Sequence, residues 1–192
     1  MPKEIFYGYE AVFEVANVNI FQFIKDHTDD FLWDRGFRPA FTEEKYIKHD
    51  EKTRIILTPT SKFTVTIEPQ KQRDAENQLR NIRSLIKEIA NFVAQGGELK
   101  LNESIKYVLL FYQALELKTL LPRWYVSVVD LSRTTLREFK TFIEEINGDM
   151  VRITEVSLST KEENNLEIKI VSPDLDLAKE LARSICESAS EG

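Results

Sequence analysis

The sequence predicts an α+β protein: an antiparallel sheet with helices packed on one face, built from a unit that occurs twice. Three observations carry that expectation. The stretch "EIFYGYEAVFEVAN" alternates apolar and polar residues; three short apolar runs, "EKYIKH", "TRIILT" and "KFTVTIE", are separated by turn residues; and Leu79, Ile82, Ile86, Ile89 and Val93 recur at spacings of three and four. The first two patterns fit strands with one buried face, and the third fits the buried stripe of a helix.

Taken in order, Ile5, Tyr7, Tyr9, Ala11, Phe13 and Val15 share one face of a first strand, with Glu10 and Glu14 on the other. Asn17 or Asn19 can cap a helix carrying Ile20, Phe23, Ile24, His27 and Phe31, closed by Gly36. A meander follows, turning at His49-Asp50-Glu51 and at Pro59-Thr60-Ser61. The long helix after it is expected to stop at Gly96-Gly97. In "LNESIKYVLLFYQALELKTLLPRW", Asn102 could cap a helix bearing Ile105, Val108, Leu109, Tyr112 and Leu115. Alternation of Ile105, Tyr107, Leu109 and Phe111, with β-branched and aromatic enrichment, favours a strand. "RWYVSVVDLS" reads as a strand, and "TLREFKTFIEEING" as a helix with Leu136, Phe139, Ile143 and Ile146 inward and Gly148 at its end. "DMVRITEVSLST" and "NLEIKIV" form a hairpin. Ser172-Pro173 then opens a last helix as cap and first-turn proline, with Leu177, Leu181 and Ile185 inward.

Each half therefore reads strand, helix, antiparallel strands, helix, which predicts a first α+β repeat over 1–97 and a second over 98–192, packed together as one globular unit. This order resembles the duplicated fold of the TATA-box-binding protein and, as an alternative, paired ferredoxin-like units. The likeness lies in topology alone and implies nothing about activity.

Composition narrows the function. With 192 residues the chain can bury roughly 70% of its unfolded surface, so its core needs neither metal nor disulfide, and no cofactor is expected. The single cysteine, Cys186, fits a reducing compartment, the N-terminus lacks the layout of a signal peptide, and no apolar run reaches a membrane span. A cytoplasmic protein without membrane contact is expected. Net charge is −6, with 14 basic and 15 acidic residues in 1–96 and 12 and 17 in 97–192. That balance disfavours general binding to nucleic acid, whose affinity rests on phosphate neutralisation.

No phosphate-binding glycine loop, nucleophile elbow or paired-cysteine motif is present. His27, Asp30 and Asp34 fall at spacings that match no specific site, and His49 sits in a turn. Cys186 lies near a helix C-terminus beside Glu187, the setting of a packed thiol rather than a reactive one. Arg73, Arg80, Arg83 and Lys87 make a weak basic stripe on the long helix, interleaved with Glu76 and Glu88 as in ordinary surface pairing. Phe21 and Phe23 cannot face one core together with Ile20 and Ile24, and Tyr107 and Phe111 lie in a stretch apolar on more than one face. These residues point to an interface or pocket. The sequence thus predicts a non-enzymatic interaction or assembly module that binds itself as a homodimer or another protein. The alternative is a small-molecule-binding protein whose apolar pocket includes Tyr7, Tyr9 and Trp124. An enzyme centred on His27 and Asp30 is the third reading.

Overall fold

The computed structural model of the chain describes residues 4–16, 19, 20, 22, 30–40, 45–95, 97, 100–114, 138–162 and 165–190. Its strands are β1 (Phe6–Ala16), β2 (Arg38–Ala40), β3 (Lys45–His49), β4 (Thr53–Leu57), β5 (Lys62–Gln70), β6 (Lys100–Gln113), β7 (Glu138–Asn147), β8 (Met150–Glu162) and β9 (Asn165–Ser172). Among the described residues there are three helices: α1 (Asp30–Asp34), α2 (Gln72–Ala94) and α3 (Leu175–Ser190). The hydrogen-bonded strand order is β2-β3-β4-β5-β1-β6-β9-β8-β7. The protein is mixed α+β with one large antiparallel sheet. Two compact units divide the chain, one of Gly8–Ile105 and one of Met1–Tyr7 with Lys106–Gly192. No helix of the described residues is long and apolar enough to cross a membrane.

In the unit Gly8–Ile105, strand alternation and helix periodicity converge on one core. Tyr9, Ala11, Phe13 and Val15 of β1, Ile55 and Leu57 of β4, and Phe63, Val65 and Ile67 of β5 are buried. The α2 stripe of Leu79, Ile82, Ile86, Ile89 and Val93 is buried with them, each large side chain contributing about 1.5–3 kcal/mol by leaving water. Gly8 is required by close approach, because a Cβ there would lie 2.5 Å from the Ile67 carbonyl oxygen. The β4–β5 turn is fixed at Ser61, which takes φ 60°. Its backbone N–H donates to the Thr58 carbonyl at 3.1 Å, and its Oγ accepts from the Ile20 backbone N–H at 2.8 Å. The stop of α2 falls one residue earlier than the glycine pair suggests. Gln95 itself adopts the left-handed cap, φ 48° and ψ 41°, and the Gly97 N–H donates to the Ala94 carbonyl at 2.8 Å.

A stacked cluster joins α1 to α2 within this unit. The rings of Phe31 and Phe92 lie 3.9 Å apart and 10° from parallel. The Arg35 guanidinium sits 3.5 Å from the Phe31 centroid and forms an ion pair with Glu88. The expected helix upstream of Asp30 lies mostly outside the described residues.

Residues 100–113 form a strand, β6, whose part from Lys106 onward belongs to the other unit, so the helical alternative for these residues is set aside. The reason is register: Tyr107–Gln113 pair with Leu166–Ser172 of β9, which places Leu109 and Phe111 in a core with Leu158, Leu166, Ile168 and Ile170. The helix expected over "TLREFKTFIEEING" is a correction. Its residues 138–147 are strand β7, paired along their whole length with β8. Phe139 and Ile143, four residues apart, share a face in a helix and in a strand alike, so the apparent helical stripe did not discriminate. The cap of α3 is corrected too. Asp174 Oδ1 accepts from the backbone N–H groups of Asp176 at 3.0 Å and Leu177 at 3.2 Å, so Asp174 is the N-cap. Ser172 is buried two residues earlier, where its Oγ accepts from Asp174 N–H and bonds the Thr154 hydroxyl at 2.7 Å. Ala178, Ala182 and Cys186 form the buried stripe of α3, while Leu181 and Ile185 flank it, half-buried. The strand expected over "RWYVSVVDLS" lies outside the described residues.

Candidate functional site

The β7–β8 hairpin is where apolar side chains reach solvent in number. Its loop is two residues long: Asn147 pairs with Met150, leaving Gly148 and Asp149 between them. Gly148 has φ 62°, the left-handed backbone that suits glycine at the first position of a tight hairpin. Beyond the loop the pairing runs unbroken to Glu138 opposite Ser159.

Alternation sorts this hairpin into two faces. Toward the core lie the pairs Phe139–Leu158, Thr141–Val156 and Ile143–Thr154, with Leu158, Val156 and Thr154 buried. The opposite face carries Phe142 (57% exposed), Ile146 (73%), Val151 (57%) and Ile153 (44%). Ile146 stands directly across from Val151, and Ile153 across from Glu144, one step diagonal to Phe142. Met150 at the loop is also exposed. Four large apolar side chains therefore meet water on one surface of two strands, whereas single exposed apolar residues are ordinary.

Polar groups border the patch. Lys140 Nζ lies 2.9 Å from Glu155 Oε1, and Ser157 Oγ donates to the same oxygen at 3.1 Å. The hydrogen bond from Lys140 holds the Glu155 carboxyl below its ordinary range, against some opposing desolvation. The same bond raises the Lys140 ammonium, so both remain charged near neutrality. On β6, Tyr112 faces Glu167 of β9. Burial, then the neighbouring Glu167 carboxylate, pushes its phenol upward.

The residues singled out from sequence lie elsewhere. Phe111 is fully buried in the core of its unit, opposite Ile168. Packing alone accounts for its apolar character. Tyr107 is half-buried on the same face of β6, opposite Ser172. Phe21, Phe23, Trp124 and His27 lie outside the described residues. Arg73, Arg80 and Lys87 are exposed on α2, but Arg83 is engaged, its Nε 2.9 Å from Glu103 Oε1. Asp30 is exposed on α1, and His49 is exposed at the end of β3. Cys186 is buried, and burial raises its thiol. Among the described residues no cluster of His, Cys, Asp and Glu is arranged to hold a metal.

A cleft of about 390 Å³ opens in the unit that contains α3, lined by Ile5, Tyr7, Asp176, Lys179, Glu180, Ala182 and Arg183. Tyr7 is thus beside a cavity, while Tyr9 is buried in the core of the other unit. The signal that would have found the hairpin surface was present in sequence. A Gly-Asp pair sits between two runs that alternate, and the misassigned helix hid it.

No family model matches the chain. Nor does any curated protein align with it significantly.

Proposed function

We propose that this chain is a non-enzymatic protein-interaction or assembly module, working through the outer face of the β7–β8 hairpin. The observation that supports this reading is the exposure of Phe142, Ile146, Val151 and Ile153 on one surface, an arrangement that favours burial against another polypeptide. A cytoplasmic setting fits the lone, buried Cys186. Duplication of an α+β unit belongs to the same proposal. In its support, β1 neighbours β5, the last strand of the meander before α2, and β6 neighbours β9, the last strand before α3.

Sedimentation of the wild type and of a Phe142→Ser, Ile146→Ser double variant tests the role of the hairpin face. Wild type is expected to run above its 22.4 kDa monomer mass, and the variant at it, with matching circular dichroism. Identical sedimentation of the two proteins across concentration overturns an assembly role for this face. A second reading, small-molecule binding, draws support from the cleft beside Tyr7. Its lining sets the apolar Ile5 and Ala182 beside two basic and two acidic side chains, Lys179, Arg183, Asp176 and Glu180, a mixture that suits a ligand with an apolar body and polar groups.

A further inference from the structure

The strand β7 ends the sheet order, so among the described residues nothing pairs with its outer side. Such an edge presents backbone donors and acceptors to any strand of matching register. Natural sheets blunt long edges with prolines, bulges, short strands or charges. The strand β7 runs ten residues without proline and without a break in its pairing to β8. Its charges, Glu138, Lys140, Glu144 and Glu145, are of both signs and so can be met by a strand of complementary register.

Resting on the assembly reading, we propose that β7 pairs antiparallel with β7 of a second copy of this chain, about a two-fold axis through Phe142. The argument from register is restrictive. A two-fold axis normal to the sheet keeps the faces of both copies on their own sides, so only residues of equal parity can stand opposite each other. Two registers overlap nearly the whole strand, one centred on Phe142 and one on Ile143. With Phe142 on the axis, the two Phe142 rings meet, and Lys140 of each copy faces Glu144 of the other. Thr141 then faces Ile143. With Ile143 on the axis, Phe142 faces Glu144 and Lys140 faces Ile146, so these two charges oppose apolar side chains, and Glu145 faces Thr141. The first register pairs opposite charges and two rings about its centre, with Glu138 opposite Ile146 and Phe139 opposite Glu145 nearer its ends, whereas the second pairs no opposite charges at all.

The side chains are placed for it. Phe142 and Ile146 project from one face of β7 and are more than half exposed, and Glu144 lies between them. Lys140 already meets Glu155 but keeps a side chain 46% exposed, and an ammonium group has three donors to share. Val151 and Ile153 on β8 extend the apolar surface behind each Phe142.

Charge reversal provides the test. Lys140→Glu places acid against acid across the axis, and Glu144→Lys places base against base, so each variant alone is expected to self-associate about tenfold or more weakly than wild type. An equimolar mixture of the two restores both cross-axis ion pairs, as does the double variant, and is expected to return the dimer near wild-type strength. A mixture no stronger than either variant alone, with wild type dimeric, overturns the edge register. Should Lys140→Glu fail to fold, Phe142→Cys provides a second measurement. Cysteines meeting on the axis are expected to form a disulfide-linked dimer under mild oxidation, with Cys186 buried and out of reach. Absence of that dimer, with wild type dimeric, overturns the proposal. Loss of association in the Phe142→Ser, Ile146→Ser variant without charge complementarity leaves the hairpin face as the interface and removes only the edge pairing. A strictly monomeric wild type removes both.

Discussion

Replacing Phe111 with alanine is expected to be among the most destabilising single changes in the chain. The ring is fully buried, opposite Ile168 and among Leu109, Leu158, Leu166 and Ile170. Truncating a buried phenylalanine costs about 3–5 kcal/mol, from lost transfer energy plus the cavity left in a packed interior. Against a net stability of about 5–15 kcal/mol for a typical domain, that is a large fraction. With a urea slope of about 2 kcal/mol per molar, the midpoint is expected to fall by about 1.5–2.5 M. Urea titration followed by far-ultraviolet circular dichroism measures the shift. Phe142→Ala is the internal control: that ring is 57% exposed, and its loss from an isolated chain is expected to lie within about 0.5 kcal/mol. A Phe111→Ala protein that loses less than about 1 kcal/mol would refute the burial argument. So would one that loses no more than Phe142→Ala.

Other consequences are smaller but distinct. Asp174→Ala removes the acceptor for two N–H groups at the start of α3 and is expected to lower stability by about 1 kcal/mol, read by thermal unfolding. Gln95→Gly relieves a left-handed backbone at a side-chain-bearing residue, so the melting temperature should rise, by the equivalent of about 0.5–1 kcal/mol. Burial raises the Cys186 thiol above its ordinary value. The unfolded thiol therefore ionises first. Its contribution to stability is fully present below the ordinary thiol range and is lost as pH rises through the raised value. Denaturation midpoints should fall in that alkaline window for wild type and less for Cys186→Ala, while thiol reagents should label the folded protein slowly at neutral pH.

The parts of the fold legible in sequence were those where one periodicity excluded the other. The α2 stripe from Leu79 to Val93 spans too many turns to imitate a strand, and β1 alternates too regularly to imitate a helix. The β7 segment failed because Phe139 with Ile143, and Phe142 with Ile146, fit both periods, and only the ten-residue ladder with β8 chooses between them. That choice is tertiary, and local propensity does not contain it. Phe111, singled out for an interface or pocket, is fully buried opposite Ile168, where packing accounts for it. The exposed hairpin surface was missed with the helix that replaced it, and the cap at Asp174 was displaced two residues by a plausible Ser-Pro signal.

The division of the chain has a consequence for the order of events at the ribosome. The Gly8–Ile105 unit is drawn from one continuous stretch, so its strands and α2 can assemble as soon as that stretch has emerged. Ile5 and Tyr7 precede it in synthesis, yet they pack against a core supplied by β6, β8, β9 and α3, about a hundred residues or more downstream. The opening residues must therefore wait, exposed, through most of translation. Because domains fold in the order in which they are completed, a nascent chain stalled once residue 105 has cleared the ribosome is expected to hold a folded Gly8–Ile105 unit with an undocked leading segment.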